Sequence, residues 1–319
     1  MHETAALRRL GELLREQGYR FVTVTPETHR RVEERARRRG EQEARDLRDV
    51  FGWSRLFEPT LLPRPMLECL EAAGALERLE RGYRSRVRYS SLGEDLYVHS
   101  AYPTHAPDAV FFGPDTYRFA SLLARWAPPA ERALDVGCGS GAGGLSIAAR
   151  VRRLMLSDLN QRALQYASVN AALAGREVEL VESDLFAAVS GELDLIVANP
   201  PYMRDEAGRT YRDGGAGHGT SLSVRIVQEG LPRLRAGGTL ILYTGAPVVN
   251  GTDLLEQALL PLLASVRADV HYEMLDPDVF GEELEQPTYA EVERIAVVGL
   301  RVCLSGESYS SSPASPPRR

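Results

Sequence analysis

The sequence predicts an α/β fold: a mostly parallel seven-stranded sheet over residues 106–304, behind a smaller, mainly helical region (1–105) that ends in a hairpin. Three observations carry this. From Ala133 onward, short apolar runs alternate with helix-patterned segments, as in parallel strands joined by right-handed crossovers. The first of those strands runs into a glycine cluster, Asp135-Val136-Gly137-Cys138-Gly139-Ser140-Gly141. The fourth, residues 193–198, reads as a fully buried strand and is stopped abruptly by Asn199-Pro200-Pro201-Tyr202.

In the front region, Leu7, Leu10, Leu13 and Leu14 recur at helical spacing over residues 4–18 and stop at Gly18. Phe21-Val22-Thr23-Val24 reads as a short strand. Residues 29–48 are dense in charge, with Arg30, Arg31, Arg35, Arg37, Arg38 and Arg39 interleaved with Glu33 and Glu34. Alternating signs favour a solvated helix laced with i,i+4 pairs over a patch for RNA or an acidic partner. Pro59, Pro63 and Pro65 mark a linker before a helix over 66–73. Residues 86–89 and 96–99 flank Gly93 as a hairpin, and helices followed by a hairpin are also the order of a winged helix. Behind this region, Val110 to Thr116 is a loop opening a helix that runs to Trp126 and ends at Pro128-Pro129. Strands are expected at 133–136, 153–157, 178–182, 193–198, 238–244, 268–275 and 293–304, and helices at 143–150, 160–174, 221–235 and 252–264. No helix pattern separates the last two strands, so the final strand is expected to be antiparallel. Residues 305–319, rich in Ser and Pro, read as a disordered tail.

With 44% apolar and 26% charged residues, the composition is that of a soluble globular protein. No run of about 18 apolar residues suggests a membrane span, and the opening Met1-His2-Glu3-Thr4 lacks a signal-peptide layout. Cys69, Cys138 and Cys303 are far apart and odd in number, which argues against a disulfide framework or a zinc site and for a reducing cytoplasm; no metal is expected. All 38 basic residues are arginine, and their distribution is uneven: residues 1–90 carry a net +4 and the remainder a net −10. A net-acidic rear region does not suit electrostatic binding of duplex DNA, whereas the basic front leaves RNA or an acidic protein open as a partner.

Glycines at the end of the first strand let a ligand approach the backbone closely and leave helix N–H groups free. Residues 139–144 also satisfy the dinucleotide pattern G-x-G-x-x-G, which is weak alone. Asp135 just before the first glycine, and a loop wide enough for an amino-acid moiety, speak against NAD. After the next strand comes Asp158, where an acid can take both ribose hydroxyls. After the third comes Ser183-Asp184-Leu185-Phe186, placed to bond an adenine amine and cover its ring. Any one of these acids alone reads equally well as a loop or helix cap; acids at three successive strand ends do not. At the fourth strand end, the Asn199 side-chain carbonyl and the Pro200 backbone carbonyl form a pair of acceptors suited to a planar NH2 group. Accepting both hydrogens draws the nitrogen lone pair out of conjugation, and Tyr202 adds a flat face for stacking. The alternative is an ordinary strand-ending Asn-Pro turn.

Together these residues resemble a class I S-adenosylmethionine-dependent methyltransferase with a Rossmann-like sheet, over roughly residues 110–304. Asn-Pro-Pro-Tyr is similar to the motif of the amino-methyltransferases, which act on adenine N6, cytosine N4 or glutamine N5. Pro114-Asp115-Thr116 resembles the Pro-Glu-Thr of the release-factor and ribosomal-protein glutamine methyltransferases. Asp213-Gly214-Gly215, with Gly219-Thr220-Ser221-Leu222, resembles their glycine-rich segment. The front region does not match their helical bundle, and Leu185 stands where an aromatic often covers adenine. The resemblance implies S-adenosyl-L-methionine as cofactor, held by Thr116, Asp135, Gly137, Cys138, Gly139, Gly141, Asp158, Asp184, Leu185 and Asn199. It implies N-methylation of a planar NH2 group at Asn199, Pro200, Pro201 and Tyr202, with a glutamine-bearing protein loop threaded past residues 204–220 as the expected acceptor. An RNA or nucleotide base (adenine N6, guanine N2) and a small-molecule amine remain alternatives. So does a non-catalytic cofactor-binding module, against which the intact acceptor pair argues. His218, in the glycine-rich loop, reads as a loop residue rather than a base. The sequence gives no sign of oligomeric state.

Overall fold

The computed structural model describes residues 2–104, 106–204 and 213–306. The front region holds the helices α1 (Glu3–Glu16), α2 (Pro26–Arg38), α3 (Leu47–Phe51) and α4 (Arg64–Ala72). Two hairpins follow, β1–β2 (Leu76–Leu79 with Gly82–Ser85) and β3–β4 (Val87–Leu92 with Asp95–Ser100). The charge-dense stretch is two helices rather than one. A run of cations closes α2, and α3 restarts at Asp46, whose carboxylate accepts the N–H groups of Arg48 and Asp49 at 2.8 and 2.9 Å. The i,i+4 pairs expected on α2 are present, Arg31 to Glu27 at 2.7 Å and Arg30 to Glu34. Phe21 is extended but belongs to no strand; its carbonyl accepts the Ser91 N–H at 2.7 Å beside β3.

Behind lie α5 (Pro114–Trp126), β5 (Ala130–Val136), α6 (Ala142–Ile147), β6 (Val151–Asp158), α7 (Gln161–Leu173), β7 (Glu179–Glu182), β8 (Leu193–Ala198) and α8 (Ser221–Gly230). The chain ends through β9 (Leu234–Val249), β10 (Thr252–Asp253), α9 (Leu254–Ala264), β11 (Ala268–Asp276) and β12 (Arg294–Leu304). Seven strands lie in the order β7-β6-β5-β8-β9-β12-β11, and the two-residue β10 pairs back on β9. Neighbours from β7 to β9 are parallel, and β12 is antiparallel to both its neighbours, as the sequence predicts. Of the tail expected at 305–319, residues 307–319 lie outside the described residues. No described helix is long and apolar enough to cross a membrane.

The strand order reverses between β5 and β8, the point where open α/β sheets leave a crevice at their carboxyl ends. Val136 pairs with Ala198 across that boundary, so Gly137 and Asn199 leave the sheet side by side. Every residue of β8 is buried, which makes this edge of the crevice rigid.

The front region shares a core with the sheet region through α7. Leu7, Leu10 and Leu14 of α1 lie in one apolar cluster with Tyr89 and with Tyr166, Val169 and Leu173 of α7. The approach is close: a Cβ on Gly11 would lie 2.7 Å from a Leu173 methyl. Asn170, fully buried, ties three elements together. Its Oδ1 accepts the Val98 N–H at 2.7 Å, and its Nδ2 donates to the carbonyls of Val98 at 3.1 Å and Ser140 at 2.8 Å. One side chain thus links the front hairpin to the glycine loop.

Candidate active site

Two cavities meet at the ends of β5 and β8. The first is lined by Thr116, Asp135, Gly137, Cys138, Gly139, Asp158, Asp184, Leu185 and Asn199. Gly137 and Gly139 have φ of +65° and +54°, and a Cβ on either would meet no atom within 4 Å. Glycine is required there by the left-handed turn, and the open space beside the turn is the cavity. The Asp158 carboxylate holds this loop by accepting N–H groups from Gly139 and Asn160, both at 2.8 Å. Its oxygens keep further lone pairs for a ligand, and burial raises its pKa. Cys138 donates its N–H to Ser157 at 2.9 Å, and burial keeps its thiol protonated.

The remaining residues of this set divide by position. Asp184 is exposed and faces Arg225 at 3.6 Å. Leu185 sits at φ +47°, held by Ser183, whose hydroxyl donates to the Leu185 carbonyl at 2.9 Å and accepts from Ala188 at 3.0 Å. The Thr116 hydroxyl accepts the Gly113 N–H at 3.2 Å at the start of α5. Gly141 does not line the cavity; it caps α6, and a Cβ there would meet Leu156 and Ala167 at 3.1 and 3.2 Å. Leu159, which sequence reasoning did not single out, forms an exposed apolar wall.

Asp135 is buried and accepts the Gly144 N–H at 2.7 Å. Burial pushes its pKa up to about 7 from an ordinary 3.8. A carboxyl that is harder to ionise in the folded state contributes its stability in full below about pH 4. That contribution is lost as pH rises to about 7, and nothing changes above. The range corresponds to at most about 4 kcal/mol. Urea midpoints measured from pH 4 to 8 should therefore fall more steeply for the wild type than for Asp135→Asn; parallel profiles would place the titration elsewhere.

The second cavity is a cleft walled by Tyr102, Pro200, Tyr202, Met203 and Phe280, with Glu27 and Glu282 at its edge. Asn199, Pro201 and Phe111 line both cavities and form the wall between them. The Asn199 side chain is half-buried and makes no hydrogen bond among the described residues. Tyr202 lines the cleft but is itself buried, its ring against Gly245, where a Cβ would lie 2.1 Å from a ring carbon. Its hydroxyl donates to Asp115 Oδ2 at 2.6 Å, and Tyr243 donates to Oδ1 at 2.7 Å, with Arg118 at 3.4 Å. Burial and the adjacent carboxylate raise both phenols' pKa values well above the ordinary one, so neither acts as a base near neutrality. The sequence offers Tyr202 as a stacking face; the Asp115–Tyr243 anchor that orients it joins residues 128 apart and is visible only in the fold, although Asp115 lies within Pro114-Asp115-Thr116.

Of the expected 204–220 wall, residues 205–212 lie outside the described residues. Gly214 lies against the Tyr202–Met203 backbone, donating to the Met203 carbonyl at 2.7 Å. His218 lines neither cavity and sits 3.2 Å from the Thr288 carbonyl. No group of three or more His, Cys, Asp or Glu placed to hold a metal occurs among the described residues.

Residues 116–260, which supply most of the first cavity but only Asn199 to Met203 of the cleft, match a family profile, "Methyltransferase small domain". The chain is 38% identical, over 126 residues, to the release factor glutamine methyltransferase of Deinococcus radiodurans, covering 39% of this chain and 44% of the relative. It is 34% identical over 119 residues to the ribosomal RNA small subunit methyltransferase C of Chromohalobacter salexigens, covering 37% and 33%. It is 39% identical over 111 residues to the tRNA1(Val) (adenine(37)-N6)-methyltransferase of Yersinia enterocolitica, covering 30% and 44%. The chain thus spans less than half the length of each of these relatives. The whole fold, front region included, is similar to a solved structure from Pyrococcus horikoshii, with a TM-score of 0.50 at 13% identity, covering 89% of this chain and 87% of that one.

Proposed function

We propose that the chain is an S-adenosylmethionine-dependent N-methyltransferase whose acceptor is a planar NH2 group, a glutamine side-chain amide of a protein. The observation that carries this is the wall between the cavities: an Asn199 side chain without a hydrogen-bond partner among the described residues, beside Pro200 and Pro201 and lining both spaces. The glycine-side cavity fits the cofactor. Gly137 and Gly139 leave open backbone for the methionine moiety, Asp158 has lone pairs free for ribose hydroxyls, and exposed Leu159 with Leu185 offers an apolar slot for adenine. When bound, the cofactor supplies an electrophilic methyl group. The chain's own part is positional: the Asn199 and Pro200 carbonyls accept both amide hydrogens and aim the nitrogen lone pair toward the glycine-side cavity. Tyr202, fixed by Asp115, keeps the acceptor plane in register. The methylated nitrogen is acidic enough to lose its proton to water, so no strong base is required, and most of the acceleration comes from fixed dipoles and orientation.

A protein acceptor accords with the net −10 of residues 91–319, while at the cleft edge Glu27 is neutralised by Arg30 and Arg31, each at 2.7 Å. A nucleic-acid base is the second reading, favoured by the aromatic faces of Phe111 and Phe280. Incubating the full chain with tritiated-methyl cofactor and a cell extract separates the two. Label that survives ribonuclease and is lost on protease, and that hydrolyses to N5-methylglutamine, is expected. Label lost on ribonuclease selects the base, and no incorporation into any fraction defeats methyl transfer.

A further inference from the structure

Arg88, on β3, is 4% exposed, yet its Nε and Nη2 have no hydrogen-bond partner among the described residues. No ion pair is formed by Arg88 among the described residues. Its neighbours are the phenols of Tyr19, Tyr102 and Tyr117 and the ring of Phe21, whose centroid lies 5.4 Å from the guanidinium carbon. Nor do the adjacent imidazoles supply a counter-charge. His99 is held by Ser90 at 2.8 Å and the Ser100 carbonyl at 3.0 Å, and His29 leaves Nδ1 without a partner among the described residues. A cavity of about 40 Å³ opens against Arg88, His29 and His99. Tyr102, Thr104 and Phe111 line it too and are also walls of the acceptor cleft, so the cavity lies directly behind that cleft.

A buried guanidinium cannot relieve its desolvation by losing a proton, and an aromatic face offsets only part of the cost. Water would solvate the cation and leave its charge uncompensated; an anion both solvates and neutralises it. The space takes about three water-sized atoms. A carboxylate group has three heavy atoms, and its two oxygens match the guanidinium fork; a sulfate or phosphate, with five, is too large. We propose that Arg88 is the receptor for a carboxylate group entering from the acceptor cleft. It then selects acceptors that carry a carboxylate near the NH2 group to be methylated. The second statement rests on the N-methyltransferase reading; the first does not.

Thermal unfolding of the full chain in sodium formate, against sodium chloride and sodium sulfate at equal ionic strength, tests the receptor. A saturable rise in Tm with formate alone is expected in the wild type and absent in Arg88→Met. The Met variant should melt no lower than wild type without formate, because an unpaired buried charge has been removed. Should that variant fail to fold, Arg88→Lys keeps the charge without the fork and should weaken the formate response at least tenfold. N-acetyl-L-glutamine, which joins a carboxylate to an amide, should displace formate if the group arrives on an acceptor. Formate binding without such displacement assigns the site to a free anion and overturns the acceptor half. No saturable formate response in wild type, or an equal one in Arg88→Met, overturns the receptor itself. Cofactor binding measured in the same samples keeps the readings apart: formate binding without it sinks methyl transfer and leaves the receptor standing.

Discussion

Replacing Asn199 by alanine is expected to lower methyl transfer by about 10²–10³-fold while leaving cofactor affinity within about twofold of wild type. Asn199 lines both cavities, and in the proposed reaction its side chain is the fixed acceptor for the NH2 group, not a ligand for the adenosine. Its loss removes a preorganised dipole aligned with charge that develops as the nitrogen is alkylated, and deletions of such dipoles cost about 2.7–4 kcal/mol. Because the side chain supports no hydrogen bond of the described fold, the urea midpoint should not move. Single-turnover rates with calorimetry of the cofactor check this. Turnover within twofold of wild type would defeat the mechanism, and a large loss of cofactor affinity would reassign the residue to that cavity.

Asp115→Ala is expected to destabilise the chain by about 2–5 kcal/mol. The carboxylate is buried and is the acceptor for both the Tyr202 and Tyr243 hydroxyls, at 2.6 and 2.7 Å. Alanine strands two buried donors, each at about 1–3 kcal/mol, and leaves Arg118 without this partner. Asp115→Asn keeps one acceptor oxygen and should lie between the two. Urea unfolding measures the difference, and a midpoint unchanged in the alanine variant would mean that water or a rotated phenol replaces the carboxylate. At temperatures where the variant stays folded, turnover should fall as well, because Tyr202 loses its anchor while Asn199 is intact.

The sheet was legible because buried strands are contiguous apolar runs: residues 193–198 were bounded to the residue, and β5 and β6 to within three. The hairpin Leu76–Ser85 was not, since Glu77, Arg78 and Arg84 break any apolar alternation and its strands are only four residues long. The cavity-lining acids were readable because each stands at a strand end, a position fixed by chain order. Asp115 with Tyr243, 128 residues apart, was not, because only the folded sheet brings them together. Arg88 was read as part of a hairpin for the same reason: sequence shows the charge, and burial without a partner appears only in three dimensions. Gly141 shows the converse. It shares the left-handed backbone of its neighbours at φ +77°, but packs inward instead of toward the ligand space.

The thin wall of Asn199, Pro201 and Phe111 also dictates traffic. In the proposed reaction the cofactor and the acceptor occupy different cavities, one on each side of it. Both must be resident at once for their reacting atoms to meet across Asn199. Initial-rate plots should therefore intersect, as in a ternary-complex mechanism, rather than run parallel, as when a group is parked on the protein between two visits. A chain built this way has no need to store the methyl group, and Cys138, kept as a buried thiol at the edge of the cavity, is left chemically idle.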